Sequence, residues 1–216
     1  MSGNIQHFFE STQGQILSIA VIAVALLLIM IGDKKSGKKT DTKALTISAL
    51  MIAMAIVLNQ IKLFHMPQGG SVTLLSLLPI VLVGYFFGPR RGIIAGICVG
   101  MLDLILNPYV IHPIQLLVDY PLAFGALGMS GLMKDKKNGL TKGYILGVFS
   151  RYICAVISGI VFFGAYAPKN FNAVTWSLWY NLTYLGAEAV ITLVIINIPP
   201  VKSAFQRMKN SIENGR

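Results

Sequence analysis

Charged residues are scarce in this sequence, and acidic residues are the rarest of them. Only 12% of the 216 residues are charged, with eight Asp or Glu among them, whereas a soluble domain carries about 25% charged residues. Hydrophobic residues make up 55% of the chain, which is more than a soluble core can use. The composition therefore excludes an ordinary soluble domain and indicates an integral membrane protein.

Cysteine and histidine are too few, and too poorly placed, to build a metal or catalytic centre. Cys98 and Cys154 both lie within apolar segments, which predicts small core residues rather than a disulfide. His7, His65 and His112 show no H-x-x-x-H spacing, and the chain has no G-x-S-x-G motif. The sequence therefore predicts no metal, no cofactor and no enzyme activity of its own.

Basic residues give the chain a net charge of +10, but they cluster between long apolar runs and do not alternate with aromatic residues. This arrangement argues against a nucleic-acid interface and predicts cytoplasmic flanks that contact anionic lipid. Seven apolar segments without two-residue alternation favour membrane helices over a barrel. They are residues 16–31, 44–64, 72–87, 92–106, 113–133, 144–166 and 176–198.

The basic clusters occupy alternate connections between these segments, while Lys62 and Lys169 are the lone basic residues of the others. The positive-inside rule then predicts an N-terminus outside the cell and a C-terminus in the cytoplasm. The clustered residues are Lys34, Lys35, Lys38, Lys39 and Lys43, then Arg90 and Arg91, then Lys134, Lys136, Lys137 and Lys142, and finally Lys202, Arg207, Lys209 and Arg216.

This pattern predicts an all-α integral membrane protein in three parts. Residues 1–43 hold one additional N-terminal transmembrane helix and a basic cytoplasmic loop, residues 44–200 form a six-helix membrane domain, and residues 201–216 form a basic cytoplasmic tail. The loop almost matches a phosphate-binding motif through Gly32, Gly37 and Lys38. Lys39 replaces the required Ser or Thr and no strand precedes the motif, which argues against nucleotide binding.

The segment 107–131 is the most informative part of the chain, because it places Asp119 inside a membrane helix. A carboxylate near the middle of a spanning helix costs about 2.5–3.5 kcal/mol on insertion scales, so it usually faces a partner or a cavity. On a helix that starts at Pro113, the side chains of His112, Gln115 and Asp119 share one face. Two interpretations remain open at this point, a polar cluster that holds helices together and a ligand pocket.

Four motifs then resemble one family, the thiamine-specific substrate-binding S components of energy-coupling factor (ECF) transporters. The resemblance covers about residues 44–200 in collinear order, and the first helix lies outside it. The motifs are MPQGGSVTLLSLLPI at 66–80, HPIQLLVDYPLAFGALGMSGL at 112–132, SGIVFFGAYAP at 158–168 and WSLWYN at 176–181. The resemblance implies a six-helix S-component core that captures a vitamin from outside the cell.

The resemblance also implies a set of substrate-binding residues. Asp119 stands where the family usually has Glu, which hydrogen-bonds the aminopyrimidine, and Phe163 stands where a Trp commonly stacks on the thiazolium ring. Ala155 replaces a common His, so the affinity or the preferred thiamine relative can differ from the family's usual one. The full implied set is Asp119, Tyr120, Gly159, Phe163, Trp176 and Asn181.

The implied partners are a membrane-embedded coupling protein and two ATPases, on which ATP hydrolysis is expected. Ala49 and Ala53 match the small-xxx-small pattern that S components present to the coupling protein, although Ala is common in any apolar helix. Two alternatives remain. The chain is an S component for a thiamine precursor or another vitamin, or it is a stand-alone secondary transporter driven by protons through Asp103, Asp119 or Glu188.

Overall fold

The computed structural model of the protein describes Gln13 and residues 42–214. The predicted additional helix at 16–31 and the near-match to a phosphate-binding motif at 32–39 lie outside these residues. In the described part, six apolar helices are followed by one amphipathic helix. They are α1 (Thr42–Gln60), α2 (Leu78–Phe87), α3 (Pro89–Leu106), α4 (Pro113–Met133), α5 (Gly139–Phe162), α6 (Ala173–Asn197) and α7 (Pro199–Asn214).

Four of these helices, α1, α4, α5 and α6, are individually long and apolar enough to cross a membrane. The α2 helix has 10 residues, and the 18-residue α3 helix carries two arginines and Asp103. Large apolar side chains cover the outside of the bundle, and Leu50, Val161 and Val194 are each at least 60% exposed. Such a surface suits lipid rather than water, so the prediction of a helical membrane protein is confirmed.

The helix boundaries follow from local sequence. Pro89 and Pro113 occupy the first turns of α3 and α4, where the N–H that proline lacks would have no helical acceptor. Gly88 separates α2 from α3, and its φ of 92° lies in a region that favours glycine. Asn172 and Thr175 form a capping box at the start of α6, in which Asn172 Oδ1 accepts from Thr175 N at 2.8 Å.

A β-hairpin replaces parts of the two helices predicted at 44–64 and 72–87. Strands β1 (Lys62–His65) and β2 (Ser71–Thr73) pair antiparallel around the short 3₁₀ turn Pro67–Gly69. Gly69 has a φ of 88°, and the β-branched residues that follow it favour extended backbone. The helix that was expected to begin at residue 72 therefore begins at Leu78.

Glycines on α3 bring this helix against the backbone of α4. A Cβ atom added at Gly96 would lie 2.1 Å from the carbonyl oxygen of Phe124, and one added at Gly100 would lie 2.4 Å from that of Tyr120. Small residues at a spacing of four allow such close helix contact in membranes. The contact fixes the backbone of the segment that carries Asp119 beside the half of α3 that carries Asp103.

The two ends of the helix bundle differ in chemistry. At one end, the hairpin end, the β1–β2 hairpin meets the connection 107–112, since Lys62 Nζ donates to Asn107 Oδ1 at 3.1 Å. At the other end, the basic end, α7 lies against α2 and the α4–α5 connection. Tyr85 OH donates to Gln206 Oε1 at 2.9 Å, and Lys202 Nζ donates to Asn138 Oδ1 at 2.9 Å. The segment predicted only as a basic tail is thus mostly helical.

Candidate functional site

A cavity of about 180 Å³ opens within the hairpin-end half of the bundle, between the hairpin and helices α1 and α3 to α6. Its wall combines carboxylates, one guanidinium, amides, hydroxyls and many aromatic rings. All six substrate-binding residues implied by the resemblance line it, and so does Ala155. The six are Asp119, Tyr120, Gly159, Phe163, Trp176 and Asn181. The structure thus brings together residues from α4, α5 and α6 with Phe163, which directly follows α5, while their role toward a ligand stays a prediction.

Asp119 is positioned by an irregular turn of α4. Residues Val118–Leu122 form a π-helical turn that contains Pro121. Proline has no backbone N–H to donate, and its ring clashes with the preceding turn of a regular α-helix. One turn before it, Gln115 Nε2 donates to Asp119 Oδ2 at 2.6 Å and to the Tyr109 carbonyl at 3.1 Å. Gln115 is 1% exposed, so its amide is a buried donor that fixes one carboxylate oxygen of Asp119.

The predicted shared face of α4 is only partly correct. Gln115 and Asp119 lie together on the cavity wall. His112 instead caps the helix, because its Nδ1 accepts from Ile114 N at 3.2 Å, and its ring stacks on Phe162 at 5.2 Å. His112 is exposed and is not among the residues that line the cavity.

Tyr120 has a hydroxyl that is already occupied. It accepts from Tyr109 N at 2.8 Å and donates to the Asn107 carbonyl at 3.0 Å, so it holds the connection 107–112 against the cavity. Tyr120 therefore offers its ring to the cavity and uses its hydroxyl for structure.

The hydroxyl of Tyr109, in the same connection, stays neutral. Partial burial and the neighbouring Tyr166 raise the pKa of this hydroxyl above its ordinary value.

Gly159 and Asn181 form the contact between α5 and α6. A Cβ atom at Gly159 would lie 2.1 Å from Ser177 Oγ, so any side chain at this position would have to displace the Ser177 hydroxyl. Asn181 Nδ2 donates to the Ser177 carbonyl at 2.9 Å and to the Ala155 carbonyl at 3.3 Å, and Asn181 Oδ1 accepts from Tyr184 OH at 2.9 Å. The Asn181 amide thus joins the helices that form this wall.

Aromatic rings cover the hairpin end of the cavity. Phe163 stacks on Tyr109 with ring centroids 6.0 Å apart, and Trp176 packs against Tyr180 at 5.7 Å, which in turn packs against Tyr184 at 5.8 Å. Flat rings of this kind supply π faces that attract a cation. Tyr109, Tyr180 and Tyr184 were not predicted as site residues, although the spacing of four residues after Trp176 places Tyr180 and Tyr184 on the same helix face.

The hairpin closes over this aromatic group through Tyr180. The Tyr180 hydroxyl accepts from Gly70 N at 3.1 Å and donates to the Pro67 carbonyl. On the same side, the ring of Tyr109 lies beside Gly69. The hairpin is therefore held to α6 by a hydroxyl that also lines the cavity.

Two further carboxylates line the cavity, and both are held by protein donors. Asp103 Oδ1 accepts from Asn59 Nδ2 at 2.6 Å and from Asn107 Nδ2 at 2.9 Å. Glu188 accepts from three groups of the segment that runs from the end of β2 to the start of α2, Thr73 Oγ1 at 2.6 Å, Ser76 Oγ at 3.1 Å and Leu77 N at 3.3 Å. These bonds offset the cost of burying the carboxylates.

Arg151 lies on the same cavity wall and faces an aromatic ring. Its Cζ atom lies 3.7 Å from the centroid of Phe124, and Arg151 Nη1 has no hydrogen-bond partner among the residues that the structure describes. Among the described residues the guanidinium makes a cation–π contact, while Glu188 accepts hydrogen bonds from hydroxyl and backbone donors.

The two alanines of the implied docking surface lie on α1, away from the cavity. Ala49 and Ala53 are exposed one turn apart, whereas Ser48 and Met51 on the opposite face are buried. A second helix can therefore reach this face of α1, and the docking role stays a prediction.

Comparisons with known proteins place the chain in a family. The family model "Thiamine transporter protein (Thia_YuaJ)" matches residues 45–207. The chain is 35% identical over 164 residues to "Thiamine transporter ThiT" of Bacillus subtilis (strain 168), which covers 68% of this chain and 85% of that protein. It is 32% identical over 173 residues to "Thiamine transporter ThiT" of Lacticaseibacillus paracasei, covering 70% of this chain and 83% of that protein.

The fold is also similar to a solved structure, described as "Native-SAD phasing for ThiT from Listeria monocytogenes serovar". The TM-score is 0.62 at 23% sequence identity, and the match covers 75% of this chain and 97% of that one. This likeness supports the architecture, and the family model with the two sequence relatives supports the membership. The chain therefore belongs to the thiamine transporter family of membrane transport proteins.

Proposed function

We propose that this chain is the S component of an ECF-type importer and captures thiamine from outside the cell in the cavity at the hairpin end. The observation that carries this proposal is Asp119, a carboxylate in a membrane helix with one oxygen held by Gln115 and with aromatic walls beside it. Thiamine joins a flat hydrogen-bonding ring to a permanently cationic ring. A carboxylate and aromatic faces suit these two halves.

The aminopyrimidine of thiamine is assigned to Asp119. An ionised carboxylate accepts hydrogen bonds and donates none, so it suits an exocyclic amino group. Because Gln115 donates to Oδ2, the Oδ1 atom is the natural acceptor for the ligand. Trp176 and Tyr120 line the same cavity and supply flat surfaces for the ring.

The thiazolium ring is assigned to the aromatic group around Phe163. Phe163 already stacks on Tyr109, so the pair offers a layered π surface to a cation. Phenylalanine attracts a cation less strongly than tryptophan does, and Ala155 contributes no donor. The cavity wall carries three carboxylates, Asp103, Asp119 and Glu188, against two cationic side chains, Lys62 and Arg151, and this excess of carboxylates favours a cationic ligand over a neutral one.

The orientation and the partners complete the proposal. The N-terminus lies outside the cell and the C-terminus in the cytoplasm, so the hairpin end faces outward. Ala49 and Ala53 contact the membrane-embedded coupling protein, and two ATPases bound to that protein hydrolyse ATP. The exposure of this alanine pair on α1 supports the assignment, because close helix contact needs small side chains on an accessible face.

Uptake of labelled thiamine tests this proposal. The chain is produced in cells that lack thiamine uptake, either alone or with a coupling protein and two ATPases of the same type. We expect uptake only when all partners are present, and loss of uptake when the ATPases are inactivated. Uptake by the chain alone that a protonophore abolishes would identify a proton-driven transporter and would refute the S-component assignment.

A further inference from the structure

Most polar side chains on the cavity wall are already paired within the protein. Asp103 and Glu188 each accept two or more hydrogen bonds, and the Asn181 amide is used between α5 and α6. Two cavity-lining side chains differ. Arg151 Nη1 and Ser158 Oγ are buried and have no partner among the described residues. Unpaired buried polar atoms are rare and point to a group that binds there.

Ser158 is unusual among the serines of the two helices that form this wall. A serine inside a helix ordinarily donates to the carbonyl four residues earlier, and Ser150 on the same helix does so, with Oγ 2.8 Å from the Leu146 carbonyl. Ser177 on α6 likewise donates to the Val156 carbonyl at 2.8 Å. Ser158 is only 1% exposed, yet it makes no such bond.

We propose that the Ser158 hydroxyl donates a hydrogen bond to the pyrimidine nitrogen next to the amino group of thiamine. The inference rests on the proposed function. The edge of the aminopyrimidine presents a donor beside an acceptor, and the Asp119 carboxylate can satisfy only the donor. A hydroxyl can supply the missing donor. Ser158 lines the cavity close to the Asp119 carboxylate, but the geometry between the two side chains does not meet that of a hydrogen bond.

This pair of residues makes Ser158 a specificity-determining residue. A ligand that presents an amino group and an adjacent ring nitrogen pairs with both side chains. A ligand with a carbonyl in place of the amino group places one acceptor against another, the Asp119 carboxylate. No hydrogen bond forms between these two groups, so Asp119 and Ser158 are not both satisfied. The cavity therefore selects for an aminopyrimidine rather than for any flat cation, because an unpaired buried polar group weakens binding.

Two ligands and two variants test the inference. The ligands are thiamine and an analogue with CH in place of the ring nitrogen beside the amino-bearing carbon. The variants are Ser158→Ala and the matched control Ser150→Ala, whose hydroxyl bonds its own helix. For thiamine we expect Ser158→Ala to lose about five- to fiftyfold in affinity, and Ser150→Ala to keep the wild-type affinity.

The analogue separates ligand contact from a general effect on structure. The wild-type protein should bind it about as weakly as Ser158→Ala binds thiamine, and Ser158→Ala should lose no further affinity for it. Equal losses for both ligands in Ser158→Ala would overturn the inference, as would unchanged thiamine affinity in that variant. Absence of thiamine binding by the wild-type protein would instead refute the proposed function.

Discussion

Replacement of Glu188 by alanine removes the carboxylate that joins α6 to the segment from the end of β2 to the start of α2. Three donors lose their acceptor, Thr73 Oγ1, Ser76 Oγ and Leu77 N. A buried donor without a partner costs about 1–3 kcal/mol. Once the carboxylate is gone, the Thr73 and Ser76 hydroxyls, whose oxygens lie 2.6 Å apart, can donate one to the other, so one hydroxyl proton and Leu77 N are left without an acceptor. We expect a total loss of about 2–5 kcal/mol.

The loss should be visible as a lower melting temperature. For a chain of this size, 1 kcal/mol corresponds to about 2–4 °C, so Glu188→Ala should melt about 5–15 °C below the wild-type protein. Glu188→Gln keeps an acceptor oxygen and should lose less than half of that. The measurement is thermal unfolding of the purified protein in detergent, without ligand.

Glu188 also affects the hairpin, because the bonded segment contains Leu75, whose φ of 60° is unfavourable for a side chain other than glycine. Once the carboxylate is gone, the hairpin should lose its defined position over the cavity, and thiamine affinity should fall with stability. A melting temperature within about 1 °C of the wild-type value in Glu188→Ala would refute this account of the carboxylate.

Two further substitutions test the ligand wall and the docking face. Phe163→Trp should tighten thiamine binding by about two- to fivefold, because tryptophan attracts a cation more strongly than phenylalanine does. Titration of the variant with thiamine measures this change. Weaker binding together with a lower melting temperature would indicate overpacking against Tyr109 instead. The double substitution of Ala49 and Ala53 by leucine should leave thiamine binding unchanged and abolish uptake with the partner subunits. The control variant Val57→Leu on the same helix should preserve both binding and uptake. Undiminished uptake in the double variant would place the docking face elsewhere.

The helical membrane core was predictable because hydropathy and the alternation of basic residues depend on the bilayer rather than on tertiary contacts. The hairpin was not predictable in the same way. Its strands are short, and Val72 and Thr73 continue directly into an apolar run, so a hydropathy window merges them with α2. The turn chemistry of Gly69, with its positive φ, was the available signal for a break.

The position of Asp119 on a polar face could be predicted from spacing, since Gln115 and Asp119 are four residues apart on α4. The irregular turn at Val118–Leu122 could not, because Pro121 alone does not reveal whether a helix kinks, ends or widens. His112 was misplaced for a related reason. A residue before a proline at a helix start adopts an extended backbone, so its side chain turns back to cap the helix.

The aromatic face of α6 was within reach of the sequence, and Ser158 was not. Trp176, Tyr180, Tyr184 and Glu188 follow one another at intervals of four and therefore share a face. A serine in an apolar helix usually bonds its own backbone, so sequence alone gives no reason to single out Ser158. Its significance comes from the hydrogen bonds of the neighbouring side chains, which only the structure supplies.

Calorimetric titration of the purified wild-type chain and of Asp119→Asn with thiamine tests the central claim most directly. The substitution removes the charge of the proposed acceptor and nearly conserves its volume. We expect the wild-type chain to bind thiamine without ATP or partner subunits, and Asp119→Asn to lose about 1.5–3 kcal/mol of binding free energy, roughly ten- to more than a hundredfold in affinity, at a nearly unchanged melting temperature. Unaltered thiamine affinity with a large loss of stability would contradict the assignment of Asp119 to the ligand.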